Sequence, residues 1–238
     1  FGHNNTGTAT ANTYFLRGLG STEQIALLDP AVSTYVDDVI IPRQNANNYA
    51  LFDIERLEVL RGPQGTTFGR NATGGAISVV TKKPGDELAG SVGVGYGNFG
   101  RVLARGSVDL PLSERLLTKF SAFYVEDDGW LKNVGNGEDV NASENWGIRA
   151  AVRSLVNDRM TWDIAAEYIV ANGVFARSFQ NDLGNMYSSF TTRGGTSDIV
   201  ADMLARRGWR NDTDSTSITS NFEWQIGDVT FNAITGYR

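Results

Sequence analysis

The sequence predicts a mixed fold, in which a small α/β domain over residues 1–84 precedes a run of antiparallel β-strands over residues 85–238. Three observations predict this organisation. Short strand-like segments and turns are mixed before Pro84, polar and apolar side chains alternate after it, and the later connections alternate between short and long.

The elements of the first domain are short. A segment rich in Val, Ile and Tyr, Ser33 to Ile41, is predicted as one strand that Pro42 ends. Two further strands are predicted at Leu57 to Leu60 and at Ala76 to Thr81. Between them, Pro63 is a candidate for the first residue of a short helix, since proline is favoured at that position.

The second part shows the two-residue period of a two-faced sheet. Trp146, Ile148, Ala150 and Val152 alternate with polar partners that include Arg149. Counted in this way, the chain has about seven such strands, each about 9–11 residues long, which is the length that crosses a membrane with tilt.

The connections between these strands alternate in length. Short links are predicted at 111–115, 156–159 and 227–228, and long polar ones at 127–145 and 171–214. Short turns on one side and long loops on the other are typical of outer-membrane barrels. A soluble β-sandwich also alternates, so the residue pattern alone leaves both architectures open.

Composition excludes several classes of function. The formal net charge is −6, with one histidine and no cysteine. The absence of Lys or Arg runs argues against a nucleic-acid surface, and the absence of cysteine excludes thiolate chemistry and Cys-based metal sites. With His3 as the single histidine, no Ser-His-Asp arrangement is credible, and we expect no metal or cofactor. No apolar run approaches the roughly 20 residues of a transmembrane helix.

Two short motifs suggest ligands but have simpler readings. Gly95 to Gly100 fits the dinucleotide fingerprint, which should open a helix, yet Arg101 to Leu110 alternates like a strand. The acidic pairs Asp37-Asp38 and Asp127-Asp128 are candidates for calcium binding, although paired acids at loop edges are more commonly solvated.

A long motif in the first domain points to a family. Residues 52–65 read FDIERLEVLRGPQG and residues 66–84 continue TTFGRNATGGAISVVTKKP. Two segments precede this motif: Phe15-Leu16-Arg17-Gly18 and Tyr35-Val36-Asp37-Asp38-Val39. In the second, Asp38 occupies a position where the family usually has glycine. Together these segments resemble the plug domain of TonB-dependent outer-membrane receptors.

The resemblance implies a fold and an activity. The fold is a plug (1–84) followed by the N-terminal part (85–238) of a transmembrane barrel of about 22 strands, which about seven strands do not close. The activity is TonB-dependent import of a scarce nutrient complex across the bacterial outer membrane, most often a ferric siderophore; haem, cobalamin or a carbohydrate are alternatives. The implied partners are TonB, through a segment expected before Phe1, the inner-membrane ExbB–ExbD complex, and outer-membrane lipid. A passive porin or adhesin, the alternative from another class, would lack the plug motif.

The resemblance also assigns roles to residues of the first domain. Arg17 and Arg61 match arginines that pair with glutamates of the barrel wall and lock the plug. Six glycines are expected to shape its crowded turns: Gly18, Gly62, Gly65, Gly69, Gly74 and Gly75.

Three segments of the plug are expected to rise toward the outside and hold the substrate, namely 2–11, 20–30 and 42–51. The third carries the candidate ligand-binding residues Arg43, Gln44, Asn45, Asn47 and Tyr49. An anionic siderophore could pair with the arginine, accept hydrogen bonds from the amides and stack on the tyrosine. A solvated turn is the plain alternative.

The barrel interpretation predicts which way the strand residues face. Five charged side chains should point into the lumen: Lys119, Arg149, Arg153, Asp163 and Glu167. Four apolar ones should face lipid: Trp146, Ile148, Trp162 and Ile164. A midplane Arg or Lys on the lipid face costs about 2–4 kcal/mol, which fixes the register. Finding Arg149 and Ile148 on one face would contradict the barrel.

Overall fold

The computed structural model describes residues 2–4, 12–20, 29–41, 52–69, 71–129, 131–132, 139–140, 142–174 and 210–238. These residues form a four-stranded sheet, a seven-stranded sheet, two small strand pairs and one short helix. None of the described helices is long and apolar enough to cross a membrane.

The first domain is built on the four-stranded sheet. Its strands are β3 (Val32–Val36), β4 (Val39–Ile41), β5 (Ile54–Arg61) and β6 (Gly75–Thr81), in the order β4-β3-β6-β5. β3 and β6 are parallel, and the other pairs are antiparallel. The separate pair β1 (Gly2–Asn4) and β2 (Asn12–Tyr14) precedes the sheet. The buried core consists of Leu16, Val32, Ile77 and Val79.

Two details of the sequence prediction for this domain are wrong. Ser33 to Ile41 is a hairpin rather than one strand, because Asp37 and Asp38 adopt φ values of 47° and 64° and turn the chain. Two successive left-handed residues are the signature of the tightest hairpin turn. The helix α1 (Gly65–Phe68) begins at Gly65 after the N-cap residue Gln64, so Pro63 precedes it.

The seven-stranded sheet confirms the strand count. It consists of β7 (Ala89–Tyr96), β8 (Val102–Ser113), β9 (Leu116–Asp127), β12 (Ser143–Asn157), β13 (Met160–Val174), β14 (Arg210–Ile226) and β15 (Val229–Tyr237), in chain order and all antiparallel. The strands have 8 to 17 residues, so several extend beyond the predicted length into the long connections. A small hairpin, β10 (Leu131–Lys132) with β11 (Asp139–Val140), lies between β9 and β12.

The hairpin between β7 and β8 accounts for the dinucleotide-like motif. Phe99 and Gly100 turn the chain with φ values of 61° and 63°, and the Gly97 amide donates to the Arg101 carbonyl at 2.8 Å. A strand follows this turn, so the helix that a dinucleotide site requires is replaced by β8.

The two faces of the large sheet separate as predicted. Ile148 is 53% exposed, whereas its neighbour Arg149 is 8% exposed on the opposite face, here called the inner face. Trp146 pairs with Tyr124 on the outer face, and Ser154, opposite Trp162, follows eight residues later on the same strand. That is about 26 Å of strand, or about 20 Å of height at a tilt of about 40°. Aromatic side chains at these two levels match the girdles that flank the apolar band of a membrane barrel.

The glycines of the first domain differ in what they allow. Gly18, Gly62, Gly69 and Gly75 have positive φ values, and a Cβ on Gly74 would lie 3.2 Å from the Ala31 carbonyl oxygen. Gly75 is the most constrained: its φ is 146°, and an added Cβ would overlap the Leu60 carbonyl oxygen and lie 2.6 Å from Leu16 Cδ1. Gly65 has open space around its Cβ position and no positive φ.

We predict that Gly75→Ala destabilises the first domain by about 2–4 kcal/mol, because backbone strain and overlap with the Leu60 carbonyl add together. Gly65→Ala is the matched control and should change stability by less than about 0.5 kcal/mol. Differential scanning calorimetry of the full-length protein measures both. Equal unfolding temperatures for the two variants would contradict the close approach at Gly75.

Candidate functional site

The inner face of the large sheet carries charged side chains at the level of the membrane. Lys119 and Arg149 are 4% and 8% exposed. They are not solvated, because the four-stranded sheet lies against this face and supplies their partners.

Arg149 on β12 meets the hairpin turn between β3 and β4. Its Nη2 donates to Asp37 Oδ2 at 3.1 Å and to Thr81 Oγ1 at 2.6 Å. Thr81 in turn donates to both Asp37 oxygens, from its amide at 2.9 Å and from its hydroxyl at 2.7 Å. The Arg149 guanidinium also lies 3.9 Å from Glu167 on β13. One guanidinium therefore connects two strands of the small sheet to two strands of the large one.

Lys119 on β9 forms a second buried connection. Its Nζ lies 2.9 Å from Asp109 Oδ2 on β8 and 3.5 Å from Asp53 Oδ1, which immediately precedes β5. Ser121, also on β9, donates a hydrogen bond to Asp53 Oδ2. Asp53 thus has two partners on one strand, and it shares the charge of Lys119 with Asp109.

The segment joining the two sheets is held at two points. Lys83 Nζ lies 3.2 Å from Asp163 Oδ2 on β13, and Arg153 Nε lies 3.2 Å from Asp163 Oδ1. The Gly85 amide donates to Asp109 Oδ1 at 2.9 Å. The chain therefore enters β7 from a fixed position.

Apolar contacts accompany the ion pairs. Phe52 contacts Phe123 in a tilted arrangement, with ring centroids 4.5 Å apart, and packs with Val125 and Ile169. At the other side, Gly236 on β15 leaves room for Val39, whose side chain would overlap any added Cβ. The inner face is thus polar where it meets the acids and apolar where it meets Phe52.

The five charged residues predicted to face inward all do so. Sequence reasoning missed their partners on the small sheet, and for Asp37 the solvated reading is wrong, since Asp37 binds Arg149 while Asp38 is exposed. The signal that could have found these acids was the pair of inward bases, which demand opposite charges when buried. Among the described residues, no group of His, Cys, Asp and Glu could hold a metal ion.

Arg17 and Arg61 were expected to pair with glutamates of the barrel wall. Both are exposed, and neither forms an ion pair with a residue in the part of the chain that the structure describes. Arg17 Nη1 lies 3.4 Å from the Cβ position of Gly62, so the two arginine-bearing turns are neighbours. The candidate ligand-binding residues Arg43, Gln44, Asn45, Asn47 and Tyr49 lie outside the described residues.

A family model for the TonB-dependent receptor plug domain matches residues 2–76. Residues 2–76 are a plug domain of that family. Similarity to known receptors continues through the large sheet. The pesticin receptor of Yersinia pestis is 28% identical over 240 residues, which cover 98% of this chain and 33% of that receptor. The ferric enterobactin receptor of Pseudomonas aeruginosa is 26% identical over 233 residues, covering 89% of this chain and 30% of that receptor.

Solved receptor structures share the fold. The ferric yersiniabactin uptake receptor FyuA from Yersinia pestis superposes with a TM-score of 0.77 at 24% identity, over 98% of this chain and 35% of that chain. The alcaligin receptor FauA from Bordetella pertussis gives 0.65 at 14% identity, over 95% and 32%. The chain therefore has a plug followed by part of an outer-membrane barrel, and it spans about a third of the length of these relatives.

We predict that Arg149→Gln weakens plug docking by about 2–4 kcal/mol, between the values for exposed and buried pairs, because the partly buried Asp37 loses its cation. Asp37→Asn should have a similar effect, and the double variant should cost less than the sum, since it removes both charges. The urea dependence of plug protection from protease in the full-length receptor measures this.

The control for this experiment is the exposed pair Arg115–Asp158, whose atoms lie 3.4 Å apart. Arg115→Gln should change plug docking by less than about 1 kcal/mol. Additive effects of Asp37→Asn and Arg149→Gln would show that the two side chains do not act on each other.

Proposed function

We propose that the full-length protein is a TonB-dependent receptor that imports a ferric siderophore across the bacterial outer membrane. The observation that carries the proposal is a plug docked, through buried ion pairs, on the inner face of a sheet with membrane-barrel patterning. The names of the relatives, which include ferric enterobactin and ferric yersiniabactin receptors, support the substrate class.

The proposed mechanism is active transport without covalent change, so the protein is not an enzyme. Substrate binds from outside on the plug loops, and TonB, energised by the inner-membrane ExbB–ExbD complex, pulls on the plug to open a path. The alternative of a passive porin or adhesin does not account for an interior domain that is held by specific charge pairs.

Arg17 and Arg61 fit a further locking role. Both lie near the Gly75 end of β6: Arg61, the last residue of β5, is opposite Gly75, and Arg17 lies in the neighbouring turn. Asp37 and Asp53 lie near the other end of β6, at Thr81. We propose that these arginines pair with acidic residues of barrel strands other than the seven described here. The plug would then be held by its acids on one side and by its bases on another.

Deleting the gene should abolish growth on an otherwise unusable ferric siderophore under iron limitation, and the full-length gene should restore it. Restoration should require a functional TonB. A panel of ferric catecholate, hydroxamate and phenolate siderophores, haem and cobalamin, each labelled and offered to whole cells, identifies the substrate. Import of haem or cobalamin in place of every ferric siderophore would reject the substrate class. TonB-independent import would reject the receptor class.

The loop over residues 42–51 is the proposed substrate contact. Replacing Arg43 and Tyr49 by Ala should reduce whole-cell binding of the substrate about tenfold or more, since a charge-assisted hydrogen bond and an aromatic contact are lost together. Arg115→Ala, in the short turn after β8, is a control that should bind normally. Unchanged affinity in the double variant would remove this loop from the site.

A further inference from the structure

The wall formed by β7 presents almost no side chain to the plug. Its inward positions are Ala89, Ser91, Gly93 and Gly95, which pair with the inward residues of β8. The neighbouring strand β9 instead carries Phe123 and Val125 on the same face. The plug is therefore tightly packed against β9 and separated from β7.

This separation creates a cavity of about 420 Å³ between plug and wall. The plug side is formed by Phe52, Asp53 and Lys82, and the wall side by Ser91, Arg105 and Ser107. The two serine hydroxyls lie 2.9 Å apart across the β7–β8 pair. The Arg105 side chain lies over Gly93, whose Cβ position is 3.1 Å from Arg105 Nε.

The cavity has an excess of positive charge. Asp53 accepts a hydrogen bond from Ser121 and shares the single charge of Lys119 with Asp109, so these three charged groups leave one negative charge. Lys82 and Arg105 form no ion pair with any residue in the described ranges of the chain. The three bases Lys82, Arg105 and Lys119 against the two acids Asp53 and Asp109 leave one positive charge in excess. A concave site with an excess positive charge and hydroxyl donors concentrates anions.

A second gap between plug and wall, of about 410 Å³, is lined in part by Lys82 as well. It lies nearer the short turns, beside Asp163 and Asn221. Arg149 pairs with Asp37, Lys83 with Asp163, and Arg56 with both Glu55 and Glu58. With Asp38 included, five acids and four bases line this gap. Lys82 thus lines both a gap with excess positive charge and a gap with one more acid than bases.

We propose that the β7–β8 side of the plug is a transit site for an anionic substrate, with Arg105 and Lys82 as its cations and Lys82 at the passage between the two gaps. The substrate groups that fit are carboxylates, catecholates or phenolates, which carry negative charge and accept hydrogen bonds from Ser91 and Ser107. The role of the site in transit rests on the proposed import function, whereas its preference for anions does not.

The anion preference is tested without knowing the substrate. This chain contains no cysteine, so Ser107→Cys in the full-length receptor, with any cysteines elsewhere replaced by serine, introduces one thiol into the cavity. Its labelling rates are measured with an anionic and a cationic methanethiosulfonate of similar size. The ratio of the two rates cancels any change in the pKa of the thiol, since both reagents need the same thiolate.

The anionic reagent should be preferred, and combining Lys82→Gln with Arg105→Gln should reduce the rate ratio about tenfold. Lys82→Arg should retain the ratio. Asn98→Cys, in the exposed β7–β8 turn, gives the reference ratio outside the cavity, and Arg159→Gln, in the β12–β13 turn, is the control for removal of a distant charge. A ratio that does not respond to Lys82→Gln and Arg105→Gln overturns the site.

The transit role is tested by separating binding from uptake. For whichever ferric siderophore the wild-type receptor imports, Lys82→Gln with Arg105→Gln should leave whole-cell binding affinity unchanged and slow uptake about tenfold, while Arg159→Gln does neither. Normal uptake combined with a changed labelling ratio overturns the transit role and leaves the import function intact. Absence of any wild-type uptake rejects the import function itself, while the labelling result still judges the anion site.

Discussion

The docking of the plug on the barrel strands depends on ion pairs between them, because the buried charges of each part have their partners on the other. Lys119 and Arg149 lie on membrane-level strands and are excluded from the lipid face by its cost. Facing inward, they still lie where the plug excludes water, so each needs an opposite charge. Asp53 and Asp37 supply those charges from the plug. Such pairs add little net stability compared with apolar packing, but they penalise every docked position in which the partners miss each other.

The distribution of charge on the plug follows from this constraint. β6 spans about 20 Å, with Asp37 and Asp53 near its Thr81 end and Arg61 opposite Gly75 at its other end. The first barrel strands present bases to the acidic end. The arrangement is the reverse of the arginine–glutamate lock proposed for Arg17 and Arg61, in which the plug supplies the bases. If that lock forms, the two kinds of contact together define the orientation of the plug as well as its position.

The sequence predicted the features that depend on local periodicity and family motif. The number of strands and the facing of Arg149 and Ile148 follow from a two-residue period that one slip would invert. The hairpin at Asp37-Asp38 was missed because the glycine that usually marks such a turn is replaced by aspartate. The partners of Lys119 and Arg149 were missed for another reason: they are distant in sequence, and only the docking of two sheets brings them together. Periodicity assigns a side chain to a face but does not identify what lies opposite.

The uneven packing around the plug is consistent with an interface that must separate. A large apolar side chain at an inward position of β7 would stabilise the contact with the plug by about 1.5–3 kcal/mol. The residues present there are small: Ala89, Ser91, Gly93 and Gly95. Apolar contact is confined mainly to Phe52 and its neighbours, and the remaining described contacts are largely ionic or hydrogen-bonded. Separating apolar surfaces exposes them to water, which is unfavourable, whereas ions that separate regain their hydration. A plug held by paired charges and flanked by a glycine-lined gap therefore has a defined position, and it has little apolar surface to expose in the separation that the proposed import mechanism requires.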